Sequence, residues 1–292
     1  MTTLIIGGSG FLGTELIRQA KAAGHTTAAT YATRPGDTAE TAWYPLDLRD
    51  AQSLDAVMTE VRPTVILNAS SGGADWPVTA QGPTRLAMAA AKHRSRMVHV
   101  SSDAVFSGAR VHYDESCLPD PITPYGAAKA AAETGVLAVY PTAAIARTSL
   151  IIGYGRSAHE KLIHDLAAGT RDGALFTDDI RCPVHVADLA AALLELAMYE
   201  TTGIHHIAGP DAVSRHELGI LIANRDGLDA SRLPTALRAN STHRGALDVR
   251  LDSRATQRAL RTTLRGVRQF ALHLPEEAGQ AALAAPALLT GE

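Results

Sequence analysis

The 292-residue chain has little of several things. Its two cysteines, Cys117 and Cys182, fit no metal or redox spacing, so neither a disulfide framework nor a thiolate site organises it; both read as reduced thiols. No apolar run approaches the roughly 20 residues of a membrane span. The sequence opens directly on a strand pattern, without a basic leader. The expectation is a soluble cytoplasmic protein with no membrane partner. Lys and Arg number 27 and Asp and Glu 30, a net charge of −3, so there is no global attraction towards nucleic acid. The twelve histidines do not chelate by pattern: His205 and His206 alternate faces in a strand, and His159 and His164 stand five apart on a helix. No metal is expected.

Glycine is concentrated in one place. The apolar run Leu4-Ile5-Ile6 meets Gly7, Gly8, Gly10 and Gly13, and residues 14–20 then carry apolar side chains at helical spacing. Gly8, Gly10 and Gly13 satisfy G-x-G-x-x-G, while Gly7, Gly10 and Gly13 satisfy the wider G-x-x-G-x-x-G. So tight a turn needs positions without a Cβ, and a helix beginning there points unpaired N–H groups and a positive dipole end at the occupant. After a first strand, that occupant is a dinucleotide pyrophosphate, with Gly7, Gly10, Phe11, Leu12 and Gly13 forming its seat.

Short apolar strands over 25–33, 43–48, 64–69 and 97–102 alternate with helical patterns over 50–61 and 84–93 and from 125 onward. This is the pattern of a parallel, doubly wound α/β sheet. Ligands of such sheets lie at the carboxyl ends of the strands, where Asp47, Leu48, Asn68, Ala69 and Ser70 fall as candidate cofactor contacts. The end of the second strand selects the cofactor, since an acid there accepts from a ribose 2′-OH and an arginine takes a 2′-phosphate. It reads Ala32-Thr33-Arg34-Pro35, with no acid before Asp37. The expectation is NADPH rather than NADH, with Arg34 on the 2′-phosphate. Residues 70–83, rich in Gly and Pro, read as a mobile loop near the cofactor.

Tyr125 and Lys129, four apart, share one face of a helix that starts at Pro124. A strand ending in Ser101-Ser102-Asp103 precedes them. Reduction of a ketone places negative charge on its oxygen, which calls for a proton donor and a second hydrogen bond together. Tyr125 is the candidate donor, Ser102 the second hydrogen bond, and Lys129 the cation that would stabilise a phenolate.

These residues carry a resemblance. The glycine turn, Ser102 and Tyr125-x-x-x-Lys129 resemble the extended short-chain dehydrogenase/reductases. Several blocks narrow this to the dTDP-4-dehydrorhamnose reductase group: residues 100–108, 121–126, 147–149, 183–190, 203–209 and 251–253, in that order. The resemblance covers nearly the whole chain. It implies a Rossmann-type domain over 1–152 plus roughly 183–200, and a smaller C-terminal α/β substrate-binding domain over 153–182 and 201–292, with a homodimer as an open option. It also implies reduction of a nucleotide-linked 4-keto-6-deoxysugar, with Asp103, Ala104, Arg147, Leu150, Arg244 and Arg250 near that small-molecule substrate. The chain departs from the group at Ala104, usually a tyrosine, at Leu150, usually aromatic, and at Thr79, where a longer loop ends in asparagine. Two alternatives stay open at this point: a nucleotide-sugar epimerase or dehydratase with bound NAD, and a non-catalytic NADP-binding regulatory subunit.

Residues 215–268 hold eleven arginines against five acids. Arg254, Arg258 and Arg261 repeat at helical spacing and could line an anionic pocket, and Arg244 and Arg250 flank the block resembling the substrate segment. No stacking aromatics accompany this charge, which disfavours nucleic acid as its partner. Residues 275–292 read as a terminal helix and tail.

Overall fold

The structure is a computed structural model, and it describes residues 1–38, 40–199, 201–242 and 245–272. Seven strands build its central sheet: β1 (Thr2–Ile6), β2 (Thr26–Tyr31), β3 (Ala42–Pro45), β4 (Val65–Asn68), β5 (Arg96–Ser102), β6 (Ala144–Thr148) and β7 (Gly203–Ile207). Their order is β7-β6-β5-β4-β1-β2-β3, and every pairing is parallel. The order reverses between β1 and β4, so a crevice opens there at the carboxyl ends.

The helices of six residues or more among the described residues are α1 (Phe11–Ala22), α2 (Ala51–Val61), α3 (Gly82–His93), α4 (Pro124–Val139), α5 (Ala158–Ala168), α6 (Val186–Met198), α7 (Arg215–Arg225) and α8 (Arg254–Ala259). Strand side chains alternate between the two faces, and each face has its own core. Ile5, Leu67 and Val98 pack with Leu16 of α1 and Leu189 and Leu193 of α6. Leu4, Ile6, Ile66 and Met97 pack with Met58 of α2, Leu86 of α3 and Val136 of α4. The doubly wound arrangement expected from the alternating pattern is therefore present.

Two expectations need correction. Residues 203–207 do not belong with the substrate-binding part: they form β7, the edge of the central sheet, in register with β6 from Gly203 opposite Ala144 to Ile207 opposite Thr148. The chain leaving α6 returns beside β6 as the last β-α-β crossover. Residues 77–83 are not loop either. Pro77–Gln81 form one π-helical turn that runs into α3 at Gly82. Proline is compatible with a first helical turn, and Gly82 permits close packing, since a Cβ there would stand 2.8 Å from that of Leu48. Thr79 Oγ1 fastens the preceding segment, accepting from Gly72 N–H and donating to the Gly73 carbonyl. The breaker residues of this stretch thus occupy helix-compatible positions.

The rest of the described chain carries helices and small two-stranded sheets outside the central one. Its strands are two residues long: 151–152 pairs with 184–185, 175–176 with 235–236, 180–181 with 213–214, and 112–113 with 250–251. One of its cores joins Leu150, Ile163, Leu175, Leu218 and Phe270. The terminal helix and tail expected over 275–292 lie outside the described residues.

Candidate active site

The glycine turn adopts the geometry its composition requires. Gly7 takes a φ of +76°, and its carbonyl accepts from Gly10 N–H at 3.1 Å. A Cβ on Gly13 would lie 2.2 Å from the Gly7 oxygen and 2.7 Å from Gly8 Cα, so only glycine lets α1 start against the turn. Gly10 caps α1 without a side-chain hydrogen bond, and the first turn contains no acid. An uncapped helix start of this kind presents N–H donors to an anion, and the seat fits a dinucleotide pyrophosphate. Arg34 is exposed on the turn that follows β2.

Beside this turn lies a cavity of about 640 Å³ whose lining includes Phe11, Leu12, Ala69, Ser70, Ser71, Ser102, Asp103, Ala104, Tyr125, Lys129 and Leu150. Close approach of α4 to the end of β5 brings its groups together. Thr123 caps α4 by accepting from Gly126 N–H at 3.0 Å. A Cβ on Gly126 would sit 2.0 Å from the Ala104 oxygen. Glycine at that position therefore sets Tyr125 against the Ser102-Asp103-Ala104 segment.

Burial raises the Tyr125 pKa above its usual 10, opposed by hydrogen bonding with the Ser102 and Ser71 hydroxyls and reinforced by the Asp103 charge. Tyr125 is thus a neutral phenol near pH 7 and holds a proton to give. Ser102 Oγ donates to Asp103 Oδ1 at 3.3 Å and accepts from Ala104 N–H at 3.2 Å. Lys129 is buried, and its ammonium donates to the Val100 carbonyl at 3.0 Å. Burial lowers its pKa to about 8 against the opposing pull of Glu133. The hydroxyls of Ser102 and Ser71 are the hydrogen-bond partners of the Tyr125 side chain.

Several candidates lie elsewhere. Arg147 does not face the cavity: it is 3% exposed on its side chain, pairs with Glu133 at 2.8 Å, and donates to the Cys117 carbonyl at 3.1 Å. Its place in the middle of a sheet covered on both faces explains this, since a buried cation there needs an internal partner. Arg250 pairs with Asp248 at 2.8 Å and lines a separate cavity of about 1050 Å³. Arg244 lies outside the described residues. Asp47 is engaged with Arg49, and Leu48 is core. Asn68 is fully buried; its amide meets His99 at 3.0 Å and its carbonyl oxygen accepts from Ser70, so its side chain holds the strand end while Ala69 and Ser70 face the cavity. Of the helical arginine stripe, Arg254 and Arg258 line that second cavity with Arg250, Arg254 being paired with Asp252, while Arg261 lies beyond the end of α8.

Sequence reasoning missed a different set. Arg181, Arg215, Arg238, His159 and Asp179 also line the cavity. Arg215 and Arg238 belong to the arginine-rich stretch, but no spacing rule singles them out, because the pairing of 180–181 with 213–214 brings Arg215 to Asp179 and that of 175–176 with 235–236 brings Arg238 there. Among the described residues no group of His, Cys, Asp and Glu could hold a metal ion, and no helix is long and apolar enough to cross a membrane.

Known proteins resemble this chain along most of its length. A dTDP-4-dehydrorhamnose reductase from Mycobacterium tuberculosis (strain ATCC 25618 / H37Rv) is 32% identical over 243 residues, which cover 79% of this chain and 77% of that protein. The crystal structure of a hypothetical dTDP-4-dehydrorhamnose reductase from Sulfolobus tokodaii matches with a TM-score of 0.79 at 28% identity, covering 94% of this chain and all of that one (100%). A Bacillus anthracis str. Ames dTDP-4-dehydrorhamnose reductase, solved in complex with NADP, shares the fold with a TM-score of 0.79 at 21% identity, covering 93% of this chain and 97% of that one. The family model described as the RmlD substrate binding domain matches residues 1–274, and the chain belongs to that family.

Proposed function

We propose that this protein is an NADPH-dependent reductase of a nucleotide-linked 4-keto-6-deoxysugar. The observation that carries the reading is one cavity lined by Phe11 and Leu12 at the start of α1, just past the glycine turn, and by Ser102, Tyr125 and Lys129. Membership of the family and the names of its relatives supply the substrate class. Phe11, Leu12, Ala69 and Ser70 would line the cofactor seat, with Gly7, Gly10 and Gly13 on the pyrophosphate, Arg34 on the 2′-phosphate and Lys129 on the nicotinamide ribose. When bound, NADPH supplies the hydride.

The protein's own residues do the rest. Ser102 Oγ donates a hydrogen bond to the substrate carbonyl oxygen and so fixes its orientation. Tyr125 Oη gives its proton to that oxygen as charge develops there, turning the carbonyl into an alcohol. The phenolate left behind lies on the same helix face as the Lys129 ammonium and recovers a proton from solvent. A positioned general acid of this kind accounts for about 10²–10⁴ in rate, so Tyr125→Phe should lower kcat by that factor and leave NADPH binding intact. The test is NADPH oxidation against a panel of dTDP-linked and other nucleotide-linked 4-keto sugars. Failure of every member, together with tightly retained NAD and no net NADPH consumption, would replace the reductase with an epimerase or dehydratase.

A further inference from the structure

Two hydroxyls hydrogen-bond the Tyr125 side chain, those of Ser102 and Ser71, and all three residues line the same cavity. The two hydroxyls lead in opposite directions. Ser102 Oγ leads inward, donating to Asp103 Oδ1 at 3.3 Å. Asp103 is itself buried, and its other oxygen accepts from Ser149 Oγ at 2.6 Å and stands 3.7 Å from Arg181 Nε. Lys129, on the helix face of the tyrosine, is buried as well, with its ammonium bonded to the Val100 carbonyl. Ser71 leads outward, because it is exposed.

The loop that carries Ser71 is fastened at several points. Gly73 N–H donates to Ser71 Oγ at 3.3 Å. The buried Thr79 hydroxyl holds the two following residues, accepting from Gly72 N–H at 3.1 Å and donating to the Gly73 carbonyl at 2.9 Å. A Cβ on Gly72 would stand 2.8 Å from that of Val78, so the loop lies against the helical turn that comes after it. Asp75 closes the loop: its carbonyl accepts from Thr79 N–H at 2.8 Å, and its carboxylate accepts from Val78 N–H at 3.2 Å and from Arg49. The short loop and Thr79, where the chain departs from the group it resembles, are thus the parts that hold Ser71 beside the tyrosine.

A hydroxyl has one proton to give and two lone pairs. Gly73 N–H occupies one lone pair of Ser71, which leaves its proton for Tyr125 Oη and the second lone pair for water. Donation then runs from Gly73 N–H to Ser71 and from Ser71 to Tyr125, the direction that favours negative charge on the phenolic oxygen.

We propose that Ser71 is a further catalytic residue: its hydroxyl donates to Tyr125 Oη as the phenolate forms, then passes that oxygen a new proton from water. The inference rests on the reductase reading above. When the substrate oxygen takes the tyrosine proton, the Oη–H bond breaks and the carbinol O–H bond forms. The phenolate next takes the Ser71 proton, and Ser71 Oγ takes one from water at its second lone pair. The serine ends unchanged, and the hydroxide left passes to the bulk buffer. Ser102 and Lys129 face buried partners, so Ser71 supplies the exit.

The experiment compares wild type, Ser71→Ala and Ser71→Thr in NADPH oxidation with a dTDP-linked 4-keto-6-deoxysugar. Ser71→Ala should lower kcat about tenfold to a hundredfold, the range for a hydrogen bond to a charged group. Sugar KM and NADPH affinity should stay within about twofold of wild type, which shows that the fold and both binding sites persist. Ser71→Thr keeps the hydroxyl and should recover most of the loss. A second readout needs no substrate: NMR titration of protein isotope-labelled at the tyrosine Cζ, with the Tyr125 signal identified by its loss in Tyr125→Phe. In Ser71→Ala that signal should titrate about one pH unit higher than in wild type. Wild-type kcat in Ser71→Ala overturns the proposal, and so does an equal loss in Ser71→Ala and Ser71→Thr with the Tyr125 titration unmoved. A wild type that consumes no NADPH overturns the reductase reading instead, and the titration still confirms or overturns the bond from Ser71 to Tyr125.

Discussion

Arg147→Met separates two accounts of one residue. Its position in a family-like block suggests a substrate contact, and loss of such a contact would raise KM with the fold intact. The structure instead buries Arg147 beside Glu133, with side chains 3% and 4% exposed. Glu133 accepts from Arg147 Nε at 3.0 and 3.2 Å, from Nη2 at 2.8 Å and from Ser101 at 2.5 Å. Removing the cation strands a carboxylate in the core, with only the serine for support. Breaking a buried pair from one side costs about 3–5 kcal/mol, a large share of the roughly 5–15 kcal/mol that stabilises a folded domain. At roughly 2–4 °C per kcal/mol, the melting temperature should fall by about 6–20 °C. Thermal unfolding with a urea titration measures this directly. The double variant Arg147→Met/Glu133→Leu should recover part of the loss, because no charge is then stranded. An unchanged melting temperature with a raised substrate KM would refute the burial argument and return Arg147 to the substrate.

Three further outcomes follow from the same geometry. Gly13→Ala puts a methyl group 2.2 Å from the Gly7 oxygen, so the turn must open; NADPH affinity should fall by at least about tenfold, measured by fluorescence titration, and unchanged affinity would count against the turn as the seat. Lys129, with its pKa lowered to about 8, should give kcat/KM an alkaline limb near pH 8 that Lys129→Met lacks, whereas a limb at or above 10 would point to Tyr125 instead. The stability effect of Lys129 has the opposite direction: the unfolded lysine keeps its proton up to its usual 10.5, so this group's destabilising contribution is complete below about pH 8 and is relieved as pH rises from 8 towards 10.5. Cys182 is buried and its pKa is pushed up to about 11 by that burial, so iodoacetamide should leave it unmodified in the native protein and alkylate it in urea; rapid native labelling would contradict its placement.

The parts of the site legible in the sequence were those governed by local spacing. The glycine turn, the strand-helix alternation and the shared face of Tyr125 and Lys129 depend on neighbours within a few residues, and each is present in the fold. Residues 77–83 misled because proline and glycine mark breaks by composition, yet their positions here suit a helix start and a close packing contact. The arginines lining the cavity were hidden for a different reason. Eleven arginines in 215–268 look alike in one dimension, and only the pairing of 180–181 with 213–214 selects Arg215 by carrying it to Asp179. Arg147 shows the converse: a charged residue in a strand covered on both faces finds its partner 14 positions away, on α4.

The central claim is that this cavity moves a hydride to a carbonyl while Tyr125 supplies the proton. Incubation of the protein with NADPH deuterated on the transferred face of the nicotinamide C4, a dTDP-linked 4-keto-6-deoxysugar and NMR detection of the product tests it in one measurement. Deuterium should appear at the new carbinol carbon in step with NADPH consumed, and Tyr125→Phe should slow its appearance by about 10²–10⁴-fold. Product without deuterium, or equal rates in Tyr125→Phe, would contradict the account.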